Sequence, residues 1–280
     1  MKLSIVTINY NNAEGLRRTL DSVASQTYRD IEHIIIDGGS SDGSVDEIKE
    51  YVAANPKKDP FCKHTINWVS EPDTGIYNAM NKGIRKATGA YVQILNSGDV
   101  YAATDVVERM VTEIEKAEYP DLLYGNMIKK DFAKGKIIGK SGEVECSLRQ
   151  YYSGTINHDC CYIRRDLFDA YGLYDENLKI VSDWKWFLQA IGLGKVTPRY
   201  VDIDVTIFDA SGISETNLEL RNKERRQVLE EVLPPAVLAD YDAHAFEIEQ
   251  MNRLRRCHLY GLVYFIERVL FKFEKWLKLH

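Results

Sequence analysis

LSIVTINYNN, residues 3–12, is the stretch that decides the fold, because a run of apolar and β-branched residues ends there in polar ones. Residues 3–8 predict a short strand. A helical spacing of Leu16, Leu20 and Val23 follows it directly. The opening of the chain therefore indicates a strand, a polar loop and a helix in succession.

The same succession continues over the first hundred residues. Further strands are expected at residues 31–36, 65–69 and 91–95. Helices are expected after Ser44, which we assign as an N-cap, and over residues 75–87. Strands that alternate with helices of about a dozen residues predict a parallel sheet with helices on both faces.

Polar residues follow each of the four predicted strands. Ligands of such sheets bind at the carboxyl ends of the strands, so these residues are expected to form one site. The clusters are Asn9-Tyr-Asn-Asn, Asp37, Glu71-Pro-Asp-Thr-Gly and Asn96-Ser-Gly-Asp.

Beyond residue 119 the pattern changes to shorter strands, at residues 122–124 and 135–139. A helix at 183–191 and a long strand at 200–208 follow. From about residue 215 the composition is helical, with a break at Pro234-Pro235.

Composition and charge exclude several classes of protein. The net charge of −6 argues against a nucleic-acid binder. Neither a secretory signal nor an apolar run of about 20 residues is apparent, so we expect a cytoplasmic protein. The five cysteines have no zinc-like spacing and are expected to be reduced. Cys160 and Cys161 are expected on opposite faces of a strand, which argues against a shared metal.

Five segments carry a resemblance to a known family: TINYNN from Thr7, IDGGSSDGS from Ile36, SEPDTGIYNAMNKG from Ser70, QILNSGD from Gln93 and SDWKWF from Ser182. In this order and spacing they resemble family 2 glycosyltransferases with the GT-A fold, in particular those that build bacterial surface polysaccharides. The resemblance covers about residues 1–212.

The resemblance implies an α/β fold of the GT-A type, with a Rossmann-like, mainly parallel sheet flanked by helices and a C-terminal helical appendage. Residues 1–212 would form the catalytic domain. Its nucleotide-sugar half would be about residues 1–100 and its acceptor half about 101–212. Residues 213–280 would form a helical extension with a basic amphipathic tail.

For the nucleotide, the resemblance places at Asp37 a carboxylate that accepts the uracil N3–H. Thr7 and Asn9 lie on the adjoining strand end, and Asp73 is placed against the base or ribose. These positions indicate a UDP-sugar donor. An alternative for Asp37 is a turn-capping role beside Gly38.

For the diphosphate, the resemblance implies a divalent metal, Mn²⁺ or Mg²⁺, held by oxygen ligands. Relatives carry an Asp-x-Asp type motif where this chain has Asn96-Ser-Gly-Asp99, so Asp99 is the carboxylate that remains. A turn residue is the alternative for Asp99. Asn96, His158 and Trp184 are assigned to the donor or acceptor pocket.

For catalysis, Asp183 occupies the position of the family's general base. A carboxylate there removes the proton of an acceptor hydroxyl, and a single in-line displacement inverts the anomeric carbon. Ser182 replaces the usual glutamate, which removes a like charge that would raise the pKa of Asp183. A helix N-terminal charge is the alternative for Asp183. At most one of Trp184 and Trp186 is expected to face the site, and Tyr77 is expected to pack in the core.

The tail, residues 252–280, carries seven Lys or Arg against two Glu, with apolar residues near a helical stripe. A basic amphipathic helix suits an anionic membrane surface, as on the inner face of a cell membrane. Packing on the catalytic domain or pairing with a second chain is equally open.

The sequence thus predicts metal-dependent, inverting transfer of a sugar from a nucleotide-diphospho-sugar to a hydroxyl of a saccharide or lipid-linked saccharide. A catalytically degenerate homologue that binds a nucleotide sugar or acts as a scaffold is the alternative. A sugar-phosphate nucleotidyltransferase is disfavoured, because Asn9-Tyr-Asn-Asn is no glycine-rich basic loop.

Overall fold

The four strands predicted in the first hundred residues lie side by side and run parallel. They are β1 (Leu3–Asn9), β2 (Ile31–Asp37), β3 (Thr65–Ser70) and β4 (Tyr91–Ile94), in the order β3-β2-β1-β4. The register pairs Asn9 with Asp37 and Asp37 with Ser70. The carboxyl ends of β1, β2 and β3 are therefore level, as the polar clusters predicted.

The computed structural model describes residues 1–54, 64–210, 212, 216–256, 265–266, 268–271 and 273. Contacts divide the chain into two units, Met1–Val228 and Leu229–His280. Within the described part, no helix combines the length and the apolar character needed to cross a membrane. A domain boundary at residue 212 stays a prediction.

Helices follow the first three strands: α1 (Ala13–Ala24), α2 (Ser44–Ala54) and α3 (Ile76–Lys86). As predicted, α1 buries Leu16, Leu20 and Val23. The assignment of Ser44 as an N-cap is wrong by one position, because Ser44 is already the first helical residue. Its amide and hydroxyl both donate to Oδ1 of Asp42, which lies two residues earlier.

The second half of the sheet is mixed. Its elements are β5 (Val100–Tyr101), α4 (Val106–Lys116), β6 (Leu122–Asp131), β7 (Lys136–Lys140), β8 (Cys161–Arg164) and β9 (Pro198–Asp209). The order continues from β4 as β8-β6-β9-β5, with β7 beside β6. β8 is antiparallel to β4 and β6, whereas β9 is parallel to β6. The predicted α/β class is confirmed, and the part of the sheet that is parallel throughout is the first half.

Shorter helices occupy the connections. They are α5 (Leu148–Ser153), a 3₁₀ turn (His158–Cys160), α6 (Leu167–Tyr171) and α7 (Ser182–Phe187), which continues as a π-helical turn over Leu188–Gly192. The helices α8 (Leu218–Val232) and α9 (Pro235–Arg256) follow β9. They confirm the helical C-terminal part and the break at Pro234-Pro235. Most of the predicted basic tail lies outside the described residues.

The core of the first unit is apolar and lies largely between the sheet and α4. Its buried members include Leu3, Ile5, Tyr91, Met110 and Leu123. A smaller cluster under α1 and α2 is formed by Leu16, Leu20, Ile35 and Ile48. The packing fixes the strand ends at which the polar residues lie.

The expectation that the two adjacent cysteines point to opposite faces of a strand is wrong. Cys160 closes the 3₁₀ turn and Cys161 opens β8, so that both thiols lie 3.1 Å from the carbonyl oxygen of Asn157. The described cysteines, Cys146, Cys160 and Cys161, are free thiols. Cys62 and Cys257 lie outside the described residues.

Candidate active site

A cavity of about 1020 Å³ opens where the first four strands end. The segments after β1, β2, β3 and β4 line it, together with the 3₁₀ turn, α7 and α8. Among the predicted site residues it is lined by Asn9, Asp73, Asn96, Asp99, His158, Asp183 and Trp184. Thr7 and Asp37 do not occur among the described residues that line it. The fold thus brings together residues that lie up to 175 positions apart in the sequence, from Asn9 to Trp184.

Asp183 lies in the first turn of α7, and both of its carboxylate oxygens are hydrogen-bonded. The Tyr77 hydroxyl donates to Oδ1 at 2.8 Å, and Nδ1 of His158 lies 2.9 Å from Oδ2. Burial alone would raise the pKa of Asp183, but the hydrogen bonds from His158 and Tyr77 and the charge of His158 hold it below its ordinary value. Asp183 is therefore ionised at neutral pH, as a general base must be.

His158 joins Asp183 to the strand end of β4. Its Nε2 lies 3.1 Å from Nδ2 of Asn96, and its side chain is 17% exposed. Burial opposes protonation of His158, yet the hydrogen bond and charge of Asp183, with the charges of Asp159 and Asp99, raise its pKa to about 9. His158 and Asp183 thus form an ion pair in the cavity wall.

The orientation of the Asn96 amide depends on this protonation. With Nδ2 toward Nε2, the contact requires a neutral ring that carries its proton on Nδ1. A protonated ring donates from both nitrogens, and the Asn96 amide must then turn its oxygen toward Nε2. The turned amide gives Asn96 Oδ1, a buried acceptor without a hydrogen-bond partner, the donor that it lacks. We therefore favour the protonated ring.

Asp99 lies at the bottom of the cavity with 3% of its surface exposed. Its Oδ1 accepts the backbone N–H of Asp209 at 2.8 Å, and the Asp209 carboxylate accepts a hydrogen bond from Arg18. Burial and the charge of Asp159 raise the pKa of Asp99. Asp159 is itself buried and accepts the Thr206 hydroxyl. Two buried carboxyl groups thus lie near each other at this end of the cavity.

These residues fit a divalent cation only if a ligand supplies most of its oxygen donors. The described residues contain no group of three or more His, Cys, Asp or Glu that could hold a metal. Carboxylate and amide oxygens are nevertheless the donors that Mg²⁺ and Mn²⁺ take, and a cation would relieve the repulsion between Asp99 and Asp159. The site fits a metal that binds with few protein ligands and with a diphosphate.

Each carboxylate oxygen of Asp37 already accepts two hydrogen bonds. Its Oδ1 accepts from Asn9 Nδ2 and the Ser40 hydroxyl, and its Oδ2 accepts from the Ser40 amide and the Ser70 hydroxyl. These bonds hold the pKa of Asp37 below its ordinary value, although burial opposes them. Thr7 is buried as well, and its hydroxyl contacts His33. Both residues lie behind the cavity wall and support it.

Asn9 and Asp73 present oxygens near the ends of β1 and β3. Oδ1 of Asn9 is buried and has no hydrogen-bond partner, while its Nδ2 donates to Asp37. Asp73 accepts the Gly75 amide through Oδ1. A Cβ at Gly38 would lie 2.5 Å from Asp73 Oδ2, so a side chain there would displace this carboxylate. Two acceptors thus line the end of the cavity nearest β2.

One of the two tryptophans of α7 faces the cavity, as expected. Trp184 lines it and donates its indole N–H to the Tyr151 carbonyl oxygen at 2.7 Å. Trp186 packs against Phe168 and donates to the Gly172 carbonyl oxygen. The expectation that Tyr77 only packs is incomplete, because its hydroxyl binds Asp183.

Sequence reasoning missed several residues of the cavity. Asp159 immediately follows His158 and gave no separate signal. Arg221 and Arg225 lie on α8, beyond the segment that resembles the family. Their helical composition was visible, but nothing in the sequence related α8 to the strand ends.

Comparison with known proteins shows which protein family this chain resembles. The family model described as glycosyl transferase family 2 matches residues 4–172. An uncharacterized glycosyltransferase of Mycobacterium tuberculosis is 33% identical over 218 residues, which cover 75% of this chain and 76% of that protein.

Two solved structures share the fold. TarS of S. aureus has a TM-score of 0.63 at 18% identity over 87% of this chain, which spans only 42% of the TarS chain. Its fragment 1–349 was solved with UDP-GlcNAc. The mannosyltransferase PcManGT of Pyrobaculum calidifontis, in complex with GDP-Man and Mn²⁺, has a TM-score of 0.62 at 17% identity and covers 88% of this chain and 69% of its own. The fold is thus of the GT-A type, and the chain belongs to glycosyl transferase family 2.

Proposed function

We propose that this protein transfers a sugar from a UDP-sugar to an acceptor hydroxyl with inversion of the anomeric carbon, and that Asp183 is the general base. One observation carries the proposal: an ionised carboxylate, held by His158 and Tyr77, lines the same cavity as the strand-end residues Asn9, Asp73 and Asp99. A base and a nucleotide site in one cavity are what a single displacement needs.

For the donor, we assign the end of the cavity with Asn9 and Asp73 to the nucleoside. An N–H donor such as uracil N3–H finds there the unpartnered Asn9 Oδ1 and the Asp73 carboxylate. Asp37 holds Asn9 and the loop at Ser40 in place. The bound UDP-GlcNAc of TarS supports uridine, whereas the GDP-Man of PcManGT makes guanosine the donor to test against it.

For the metal, Asp99 would hold Mn²⁺ or Mg²⁺ together with the donor diphosphate. Such an ion neutralises the charge that develops on the leaving diphosphate. The Mn²⁺ in the PcManGT complex supports this assignment. Asn96 and His158 line the cavity between Asp99 and Asp183, where the sugar and the acceptor hydroxyl would meet.

For the acceptor, we propose a saccharide or a lipid-linked saccharide in polysaccharide synthesis. Trp184 lines the cavity wall next to the proposed base. Only 2% of its surface is exposed, so it shapes the wall of the acceptor region and offers no open ring face to a sugar. A peripheral membrane site, reached through the basic tail, is compatible with an acceptor on a lipid carrier.

The test is nucleotide release from UDP-sugars and GDP-mannose, with Mn²⁺ or with EDTA, for the native chain and Asp183→Asn. We expect metal-dependent release from one UDP-sugar and a decrease of about 10²-fold to 10⁴-fold in the variant. Release from GDP-mannose alone would overturn the uridine assignment. Metal-dependent UDP binding without turnover, by native chain and variant alike, would favour the binding-only homologue.

A further inference from the structure

Two arginines of α8 line the cavity beside the proposed base. Arg221 and Arg225 are one helical turn apart, and both belong to the cavity wall. The Arg225 guanidinium lies 4.8 Å from the centre of the Trp184 ring and donates through Nη1 to the Ser153 carbonyl oxygen at 3.1 Å. Arg225 is thus fixed against the residue that follows Asp183.

One buried glutamate of α8 fixes the position of this helix. Glu224, which is 6% exposed, accepts the backbone N–H groups of Lys179 and Ile180 through its two carboxylate oxygens. The negatively charged carboxylate of Glu224 is therefore hydrogen-bonded to these two amides. Because Glu224 anchors the helix between the two arginines, the arginines keep their place in the cavity wall.

The surroundings of Arg225 compensate its charge only in part. Like charges one turn apart on a helix repel each other. Burial and the charge of Arg221 lower the pKa of Arg225, and Asp183 compensates only in part. The Arg225 Nε is in addition a buried donor without a hydrogen-bond partner. An anion that accepts from this side would offset each of these costs.

We propose that Arg221 and Arg225 bind a phosphate or diphosphate group of the acceptor, so that the enzyme acts on a phosphate-bearing acceptor. The inference rests on the proposed function and specifies its acceptor. Guanidinium groups form paired hydrogen bonds with phosphate oxygens, which gives both affinity and orientation. Trp184, which carries Arg225 on its ring, directly follows the base that would activate the acceptor hydroxyl.

The donor diphosphate is the other possible source of such an anion. We assign the donor diphosphate to Asp99 and the pair of arginines to the acceptor, because Arg225 contacts the α7 side of the cavity. A binding experiment separates the two sources, since it can be made with the donor site filled.

In the experiment, citronellyl phosphate, a short isoprenyl phosphate, is titrated into the full chain saturated with UDP and Mg²⁺. Citronellol is the uncharged reference. The variants are Arg221→Gln combined with Arg225→Gln, and Lys223→Gln, which removes an exposed charge from the same helix. Affinity for UDP is measured in parallel for each chain, and circular dichroism reports whether each is folded.

We expect the phosphate to bind the native chain and the Lys223 variant, and the arginine variant to bind it about tenfold or more weakly at unchanged UDP affinity. A matching loss of UDP affinity would assign the arginines to the donor and overturn the proposal. Binding of the phosphate no tighter than citronellol would overturn it too. A native chain that binds the phosphate through the arginines but binds no UDP would instead contradict the proposed function.

Discussion

The two hydrogen bonds of Asp183 come from different kinds of donor. His158 brings a positive charge to Oδ2, whereas Tyr77 brings only a hydroxyl to Oδ1. His158 is therefore a positioning residue, because it fixes the carboxylate relative to Asn96 and the end of β4. Without it the carboxylate keeps the Tyr77 hydrogen bond but loses the one on Oδ2, so that it is less firmly oriented toward the acceptor hydroxyl.

We predict that His158→Gln lowers kcat by about 10-fold to 100-fold, since misplacement of a catalytic group has effects of that order. The KM for the donor and the affinity for UDP should change little. Steady-state kinetics and UDP titration check this, with Tyr77→Phe as the variant that removes the uncharged donor and has a smaller effect on kcat. A loss of UDP affinity as large as the loss of kcat would show instead that His158 serves the nucleotide site.

The same ion pair makes stability depend on pH. The pKa of His158 rises from 6.5 to about 9 on folding, so its contribution is complete below pH 6.5 and disappears as the pH rises through about 9. The pKa of Asp183 is lowered, so its contribution is present above 3.8 and disappears as the pH falls through the folded value. The pair therefore stabilises most between 3.8 and 6.5.

We predict that the Tm difference between the native chain and Asp183→Asn is larger near pH 6 than near pH 9.5. At the higher pH the His158 ring is largely neutral, so the Asp183 carboxylate keeps its hydrogen bonds but loses the attraction of the positive charge, which lowers the stability of the native chain. Thermal unfolding of both chains at the two pH values checks this. An equal Tm difference at both would mean that His158 does not change its charge between the two pH values.

Part of the candidate site could be predicted from single residues, and part could not. That Asn9, Asp99 and Asp183 lie together in one cavity could be predicted, because polar residues at strand ends and the family motifs mark them. The Tyr77 hydroxyl was missed, because its partner Asp183 is 106 residues away and Tyr77 looked like one more apolar position of α3. That the Asp37 carboxylate already accepts hydrogen bonds on both oxygens was missed for a related reason, because one donor, Ser70, lies on another strand.

The helix α3 shows how a single position determines the packing of an element. At Gly83 a Cβ would lie 2.2 Å from Cγ1 of Val6, in the middle of β1. The backbone of α3 can approach the sheet so closely only without a side chain at this position. The approach places the N-terminal end of α3, with Tyr77, beside Asp183.

We predict that Gly83→Ala destabilises the protein by about 1–3 kcal/mol, because overpacking of a buried contact outweighs the better helix propensity of alanine. Urea unfolding gives the change. Gly139→Ala, in the strand β7, is the control for an added methyl group without a clash, because its Cβ meets only Lys129 Cβ at 3.9 Å, an ordinary contact. A Gly83→Ala chain as stable as the control would mean that α3 shifts without cost.

Long elements with a regular pattern were predictable, and short ones were not. The predicted ends of β1 to β4 lie within a residue of the observed ends, because runs rich in apolar and β-branched residues mark these strands. β5 has two residues, Val100–Tyr101, and exists only through its pairing with β9. The helix α4 was missed, although Val107, Met110, Val111 and Ile114 have a helical spacing that indicates it.

Charge is unevenly distributed along the whole chain. The protein carries a net charge of −6, yet residues 252–280 alone carry +5. Salt limits the reach of these charges to about 8 Å at physiological ionic strength, so the tail acts as a local cationic segment. Anionic lipid is the partner that best matches basic residues interspersed with Phe273, Trp276 and Leu277.

We predict that the full chain binds vesicles that contain phosphatidylglycerol, but not vesicles of phosphatidylcholine alone, and that salt weakens the binding. Because each Lys or Arg near such a surface contributes about 1 kcal/mol, Lys272→Glu, Lys275→Glu and Lys278→Glu together should weaken it by at least about 100-fold. Vesicle sedimentation measures the partition of native and variant chains.

Lys49→Glu, Lys86→Glu and Lys195→Glu form the control, with the same change of net charge outside the tail. Equal losses in the two variants would mean that net charge alone governs binding. If the tail variant keeps its lipid affinity and instead changes the mass of the protein by light scattering, the tail pairs chains, because the substituted lysines then lie in a contact between copies.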